Sequence, residues 1–342
     1  MNNERIVYLD VIRILACFMI VFMHAPIPNT GISSHVLIMD SVLTAPGVGL
    51  FVMVSGALLL PVNFSTNIFI RKRLFKLVVP SFIWTLLYMV VGLQSGTIAV
   101  SGILKSIISI PFSAQFNGVF WFVYMLIGLY LLAPVISPWL ERASRKELEV
   151  YLGIWGITLC YPLIRNFVFI NQGDTGILYY FGGYAGYFLL GYYLRRYFLH
   201  LPIMICLFLI TLPLIVGTYC KLWGIKVVFF DVFWYQSILT VSASVGWFVI
   251  VQRLASLGFL KKSSHFIAQI SNCCFGIYLS HIFVMRTCLW NWEPLQNLWG
   301  GIQILVVAIL TFFGSFVITW LLSKSPLGGY LVGYRNKSGK KW

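Results

Sequence analysis

The sequence predicts an all-α polytopic integral membrane protein of about ten transmembrane helices, with both termini on the cytoplasmic side. Three observations predict it. The 342 residues are 60% hydrophobic and only 10% charged, with a mean hydropathy of +0.89, a balance that places the chain in the membrane class. Apolar runs recur along its whole length. The Lys and Arg residues fall on alternate sides of those runs.

The runs place spans at 7–26, 40–60, 75–94, 119–137, 150–170, 177–197, 202–222, 232–251, 271–290 and 301–323. Backbone polar groups at membrane depth must be satisfied within the segment, so each span is predicted as a helix. The first keeps its place in the mature chain: its apolar region is too long for a signal peptide, and no small-residue cleavage site follows His24. SGILKSIISI (101–110) reads as a short interfacial helix before the fourth span. Residues 1–330 are expected as a single transmembrane domain and 331–342 as a basic cytoplasmic tail, mobile from Tyr334 on.

Orientation follows from charge. Eighteen of the 24 Lys and Arg fall on the side that carries both termini, and five on the other; Arg13 lies inside the first span. The positive-inside rule assigns the richer side to the cytoplasm. The net charge of +15 is thereby a matter of topology and anionic lipid, not a sign of nucleic acid as a partner. The seven cysteines form neither a CxxC nor a Cys/His metal spacing, so no metal is expected and packing is their expected role.

The chain is organised around its first span, ERIVYLDVIRILACFMIVFMHA, which carries Asp10, Arg13 and His24. An ionisable group at membrane depth costs about 2.5–3.5 kcal/mol on insertion scales. Arg13 and His24 are eleven residues apart, a net rotation of about 20° at 100° per residue, and Asp10 is about 60° away. All three share one face, which must look at partners or a water-filled cavity. The rise from Arg13 to His24 is about 16 Å, so this face follows a polar path through half the bilayer.

His24 suits a base that activates a hydroxyl; the alternative is a helix-end histidine bonded to a carbonyl. Asp10 and Arg13 form either a neutralised structural pair or an arginine, oriented by the aspartate, that holds an anionic cytosolic ligand. In PGVGLFVMVSGALLL, Gly47, Gly49 and Gly56 favour close helix packing, while Ser55 can line the cavity. Arg71, Lys72, Arg73 and Lys76 open the third span as a topology determinant or as a site for several phosphates. Trp121 and Tyr124 belong to an aromatic belt or to an acceptor-side wall. The outer loop with Arg165, Asn171, Gln172 and Asp174 is either solvated or a sugar contact. His281 is either a packed histidine or a second catalytic one.

Together these residues resemble the membrane-bound acyltransferase family 3 proteins, which include O-acetyltransferases of bacterial surface polysaccharides. YLDVIRILACFMIVFMH is similar to the family's first-helix pattern, carried by Arg13 and His24. LFVMVSGALLL resembles its FF-x-x-SG element, with one Phe of the pair, Phe51, and Ser55 and Gly56 in place. RKRLFKLVVP resembles the family's basic R-x-x-R-L element in Arg73, Lys76 and Leu77, with Lys76 at the second arginine and Pro80 three residues beyond Leu77. VFWFVYMLIGLYLLAP and SNCCFGIYLSH resemble its fourth-span Trp region and late IYL-x-H element. QGDTGILYYFGGYAGYFLLGYYL is similar to the branch containing the enterobacterial common antigen O-acetyltransferase.

The resemblance implies an inner-membrane, multi-pass O-acetyltransferase that takes an acetyl group from cytosolic acetyl-CoA to a hydroxyl of a surface polysaccharide or lipid-linked glycan. It implies His24, Asp10 and Arg13 as the catalytic group. Arg13, Arg71, Arg73, Lys76 and Ser55 would hold the donor, and Trp121, Tyr124, Arg165 and His281 would lie on the acceptor side. The rival reading is a membrane transporter, for which intramembrane charges and glycines also serve; the lack of internal repeats argues against it.

Overall fold

The computed structural model describes residues 5–63, 65–96, 98, 101, 103–114, 118–168, 181–258 and 264–336. Every regular element among them is helical. The main helices are α1 (Val7–Met23), α2 (Ser34–Thr44), α3 (Pro46–Leu59), α4 (Thr66–Gln94), α5 (Ile103–Ser109), α6 (Trp121–Arg142), α7 (Arg145–Val168), α8 (Ala185–Arg196), α9 (Ile203–Leu222), α10 (Ile238–Ser256), α11 (Ser264–Val284) and α12 (Gly300–Lys324).

Eight stretches among the described residues are long and apolar enough to cross a membrane, α2 and α3 forming one of them. The expected first span is a helix of 17 residues. The expected sixth is helical over 12, Ala185–Arg196, with 169–180 outside the described residues. The second span begins earlier than expected, at Ser34, where Ser33 caps the helix by accepting from the Val36 N–H. Pro46 restarts the helix at its first turn, where a missing N–H costs nothing. Helix α7 opens on a capping box in which Ser144 and Glu147 exchange side-chain-to-backbone hydrogen bonds.

Helix α1 is enclosed by α2, α3, α10, α11 and α12. Its short length, about 25 Å at 1.5 Å per residue, fits an interior position. The window that includes α2 and α3 is 83% buried, against 17% for those of α7 and α9. Those two form the periphery, and Met204, Phe208 and Leu222 of α9 are exposed where lipid meets the protein.

Helices α3 and α8 touch backbone to backbone. A Cβ on Gly56 would stand 1.8 Å from the Phe188 carbonyl oxygen, and one on Gly191 would stand 1.9 Å from that of Met53. Gly47 meets Met19 and Ala16 of α1, and Gly49 meets the Tyr187 ring. The packing role expected of these glycines is what the structure displays.

Residues 331–336, expected as the start of the tail, instead fold back: the Asn336 N–H donates to the Ser323 carbonyl at 2.9 Å, and Gly333 packs on Phe275 and the Lys76 carbonyl. Residues 337–342 lie outside the described residues.

Candidate active site

Two turns in the helices are π-helical, Ile70–Leu74 and Met285–Leu289. Such turns insert one residue and redirect the side chains around them. The first delivers Arg73 to the end of the bundle rich in Lys and Arg, and the second delivers Arg286 to the opposite end.

At the basic end, a cavity of about 290 Å³ is lined by Arg13, Ser55, Arg73, Lys76, Tyr130, Asn272, Tyr278 and Tyr334 among others. It gathers four of the five donor-side residues read from the sequence: Arg13 from α1, Ser55 from α3, and Arg73 and Lys76 from the start of α4. Arg71 is exposed and lines none of the cavities described here. The Ser55 hydroxyl donates to the Phe51 carbonyl at 3.0 Å.

At the opposite end, a more open cavity of about 690 Å³ is lined by Met23, His24, Ser41, Gly118, Val119, Trp121, Tyr184, Trp234, Tyr235 and Arg286. Four of these ten residues, Trp121, Tyr184, Trp234 and Tyr235, give it aromatic walls. Trp121 stacks on Tyr235 at 5.5 Å and 26° and leans on Tyr184 at 5.7 Å. Below it a hollow of about 10 Å³ is bounded by His24, Trp121, Phe122, Tyr235 and Tyr278, room for about one water. His24 thus stands where the hollow and the open cavity meet.

Phe122 and Tyr278 line both this hollow and the basic-end cavity. Their rings lie 5.5 Å apart, Phe51 backs Phe122 at 5.8 Å, and the Tyr278 hydroxyl donates to the Val119 carbonyl at 2.6 Å. They form an aromatic plug between the two cavities. The face of α1 that carries Arg13 and His24 therefore runs from one cavity, past the plug, to the other.

The His24 ring is half-buried, with Nδ1 2.7 Å from the Ile20 carbonyl oxygen. A carbonyl only accepts, so Nδ1 carries the hydrogen and Nε2 is left with its lone pair. The bond expected of a bland helix-end histidine is present, and it is also what orients a base. His281 is fully buried beside it, the two rings edge to face at 5.3 Å. Its Nδ1 is bound to the Tyr278 carbonyl at 2.5 Å, and its Nε2 has no hydrogen-bond partner among the described residues. His281 lines neither cavity; it sits behind His24 instead of on the acceptor wall.

Asp10 is placed apart from His24. Its carboxylate accepts from Arg5 at 2.5 and 3.0 Å and from the Ser271 hydroxyl at 2.6 Å, while the nearest Arg13 nitrogen is 3.8 Å away. Arg5 also donates to the Ala268 carbonyl and Asn272. The cluster fastens the start of α1 to α11 and leaves the Arg13 guanidinium, held at 3.1 Å by Ser271, turned to the cavity. Sequence spacing finds the Asp10–Arg13 pair but not Arg5 or Ser271, because neither shares a helical face with Asp10.

Trp121 takes its expected place on the open cavity. Tyr124 does not line it: its hydroxyl donates to the Ile110 carbonyl beyond the end of α5. The Arg165 side chain and residues 171, 172 and 174 lie outside the described residues. Residues that sequence reading passed over as site residues are Tyr184, Trp234, Tyr235 and Arg286 on the open cavity. The signal of the three aromatics is aromatic density near the ends of apolar runs, and that of Arg286 is its place among the few outer-side charges.

A family model described as "Acyltransferase domain", the acyltransferase family 3 model, matches residues 6–324. No curated protein and no solved structure gives a significant match to the chain.

Proposed function

The chain belongs to acyltransferase family 3 and is a multi-pass membrane acyltransferase, and from that premise we propose that it transfers an acetyl group from acetyl-CoA on the cytoplasmic side to a glycan hydroxyl on the outer side. The observation that carries this reading is the pair of cavities at opposite ends of the bundle, a basic one and an aromatic one, with His24 between them. The family assignment favours this reading over a transporter, which would otherwise account for the same two cavities.

The donor set fits the ligand. Arg13, Arg73 and Lys76 offer charge-assisted donors to phosphate oxygens, and Ser55 adds a neutral polar contact deeper in. The rise of about 16 Å from Arg13 to His24 is comparable to the reach of a pantetheine arm. On the outer side, flat aromatic faces suit the apolar faces of sugar rings, and Arg286 supplies a positive charge for an acidic or phosphorylated acceptor. By the positive-inside rule the basic end faces the cytoplasm, the orientation this reading needs of a protein of the cytoplasmic (inner) membrane.

In the reaction, His24 Nε2 takes the proton of the acceptor hydroxyl as its oxygen attacks the thioester carbonyl. The C–S bond then breaks, an ester forms, and the proton passes from the imidazolium to the departing thiolate, releasing CoA as a thiol. Arg13 and Asp10 act at the donor end, Arg13 on the ligand and Asp10 through the position of Arg13. An acetyl-histidine intermediate is the competing route. It predicts an acetyl adduct on His24 when the protein is quenched with donor but no acceptor.

The decisive experiment follows free thiol released from acetyl-CoA by the purified protein in liposomes, with and without a glycan extract. Thiol release that the extract stimulates is the expected result; a protein that fails both to bind and to consume acetyl-CoA overturns the reading.

Two further outcomes are expected. Lys76→Gln raises the KM for acetyl-CoA about tenfold, the worth of one charge-assisted hydrogen bond, with a smaller change in kcat. Phe122→Ala opens the plug and lets water compete, so thiol release without acceptor rises relative to release with it. An unchanged ratio would show that the ring does not separate the cavities during turnover.

A further inference from the structure

A second cavity at the basic end, of about 490 Å³, lies beside the one that Arg13 and Lys76 line, and Arg73 belongs to both. Its walls are Phe69, Tyr192, Arg195, Arg196 and the segment Leu58–Asn63 that follows α3. No carboxylate lines it. We infer that this cavity holds the 3′-phosphorylated nucleoside diphosphate end of the acyl donor, with Arg73 at the bend between the nucleotide and the arm that enters the inner cavity. The inference rests on the acyl-CoA reading above.

Three guanidinium groups converge on this one cavity. None of the ion pairs among the described residues involves them; those pairs join Arg5 and Arg13 to Asp10, and Arg145 to Glu149. Arg195 donates one N–H to the Ala57 carbonyl, and Arg196 donates one to the Tyr192 hydroxyl. Each guanidinium carries five donors, so most remain for a ligand. Arg196 also lies 5.8 and 5.7 Å over the Tyr192 and Tyr197 rings, which hold the fork in place at little entropic cost.

The site is built by the fold. The contact at Gly56 and Gly191 brings the C-terminal ends of α3 and α8 together, and this sets Arg195 and Arg196 of α8 against the segment leaving α3. The 3′-phosphate and the nucleoside-side phosphate of the pyrophosphate match the forks of Arg195 and Arg196, and the arm-side phosphate lies at Arg73, within reach of Arg13 and Lys76 in the inner cavity. An anionic lipid headgroup would use the same chemistry. The nucleotide is favoured because Arg73 joins this cavity to the one leading toward His24.

The test is equilibrium binding of CoA and of 3′-dephospho-CoA to the full-length protein in phosphatidylcholine nanodiscs. The wild type is expected to bind CoA about tenfold more tightly, the usual worth of one charge-assisted phosphate contact. Arg196→Gln is expected to remove most of that ratio. The comparison of ligands needs no substitution, so a variant that fails to fold does not spoil it. Equal binding of the two ligands by the wild type overturns the inference while the acyl-CoA reading stands. So does a ratio that survives in both Arg195→Gln and Arg196→Gln. Loss of the ratio when phosphatidylglycerol replaces phosphatidylcholine assigns the cavity to a lipid headgroup instead. Absence of binding by either ligand overturns this inference and the acyl-CoA reading together.

Discussion

Replacing His24 with alanine is expected to lower acetyl transfer by roughly 10²- to 10⁴-fold, the usual contribution of a positioned general base. The protein should stay folded and still bind its donor. The imidazole stands at the end of α1 on the edge of the open cavity, and its one hydrogen bond among the described residues is to the Ile20 carbonyl in the same helix. Its removal therefore leaves no buried group of another helix without a partner. The donor-side contacts are a bilayer half-thickness away, on Arg13, Arg73 and Lys76. Thiol release in proteoliposomes, measured beside CoA binding, separates the two effects. Wild-type turnover in His24→Ala would sink the mechanism. Loss of turnover together with loss of CoA binding would point to collapse of the path, not to loss of a base.

Gly56→Ala is expected to be among the most disruptive single methyl additions in the chain. The new Cβ would have to occupy space 1.8 Å from a backbone carbonyl oxygen of α8, and a backbone cannot swing aside as a flexible side chain does. Overpacking of this kind typically costs about 1–3 kcal/mol, and separating α3 from α8 would add to it. Gly191→Ala meets the Met53 carbonyl from the other side of the same contact and should behave alike. Gly153 of α7 has nothing within 4 Å of its would-be Cβ. Gly153→Ala should therefore be neutral or gain up to about 1 kcal/mol of helix propensity. Thermal unfolding midpoints in detergent, for the three variants side by side, check the order. If Gly56→Ala melts with the wild type, the helices are not in backbone contact.

The α3–α8 contact also shows where sequence reading stopped. The glycines of PGVGLFVMVSGALLL announce a close approach, but composition does not say which helix approaches. That the partner is α8 follows from packing among segments more than a hundred residues apart. The two arginines that α8 brings to the basic end count toward topology in the sequence; the fold makes them part of a cavity wall.

The sequence by itself determined the membrane class, the helical character of the spans and the shared face of Arg13 and His24. These are local properties: hydropathy over a window, charge between windows, and the 100° step of a helix. Five short motifs in order placed the chain in its family, and the family model over 6–324 agrees. Only the tertiary structure decided what each polar residue faces. Asp10 shares a helical face with Arg13, yet its nearest donors are Arg5 and Ser271, which reach it from outside that helix. Tyr124 reads as an outer-wall aromatic but holds the Ile110 carbonyl. His281 reads as either a packed histidine or a second catalytic one, and packing shuts it behind His24. The cavities themselves are spaces among helices, with walls drawn from residues as far apart as Arg13 and Tyr334. Periodicity assigns a side chain to a face of its own helix; which neighbour that face meets depends on the packing of all the others.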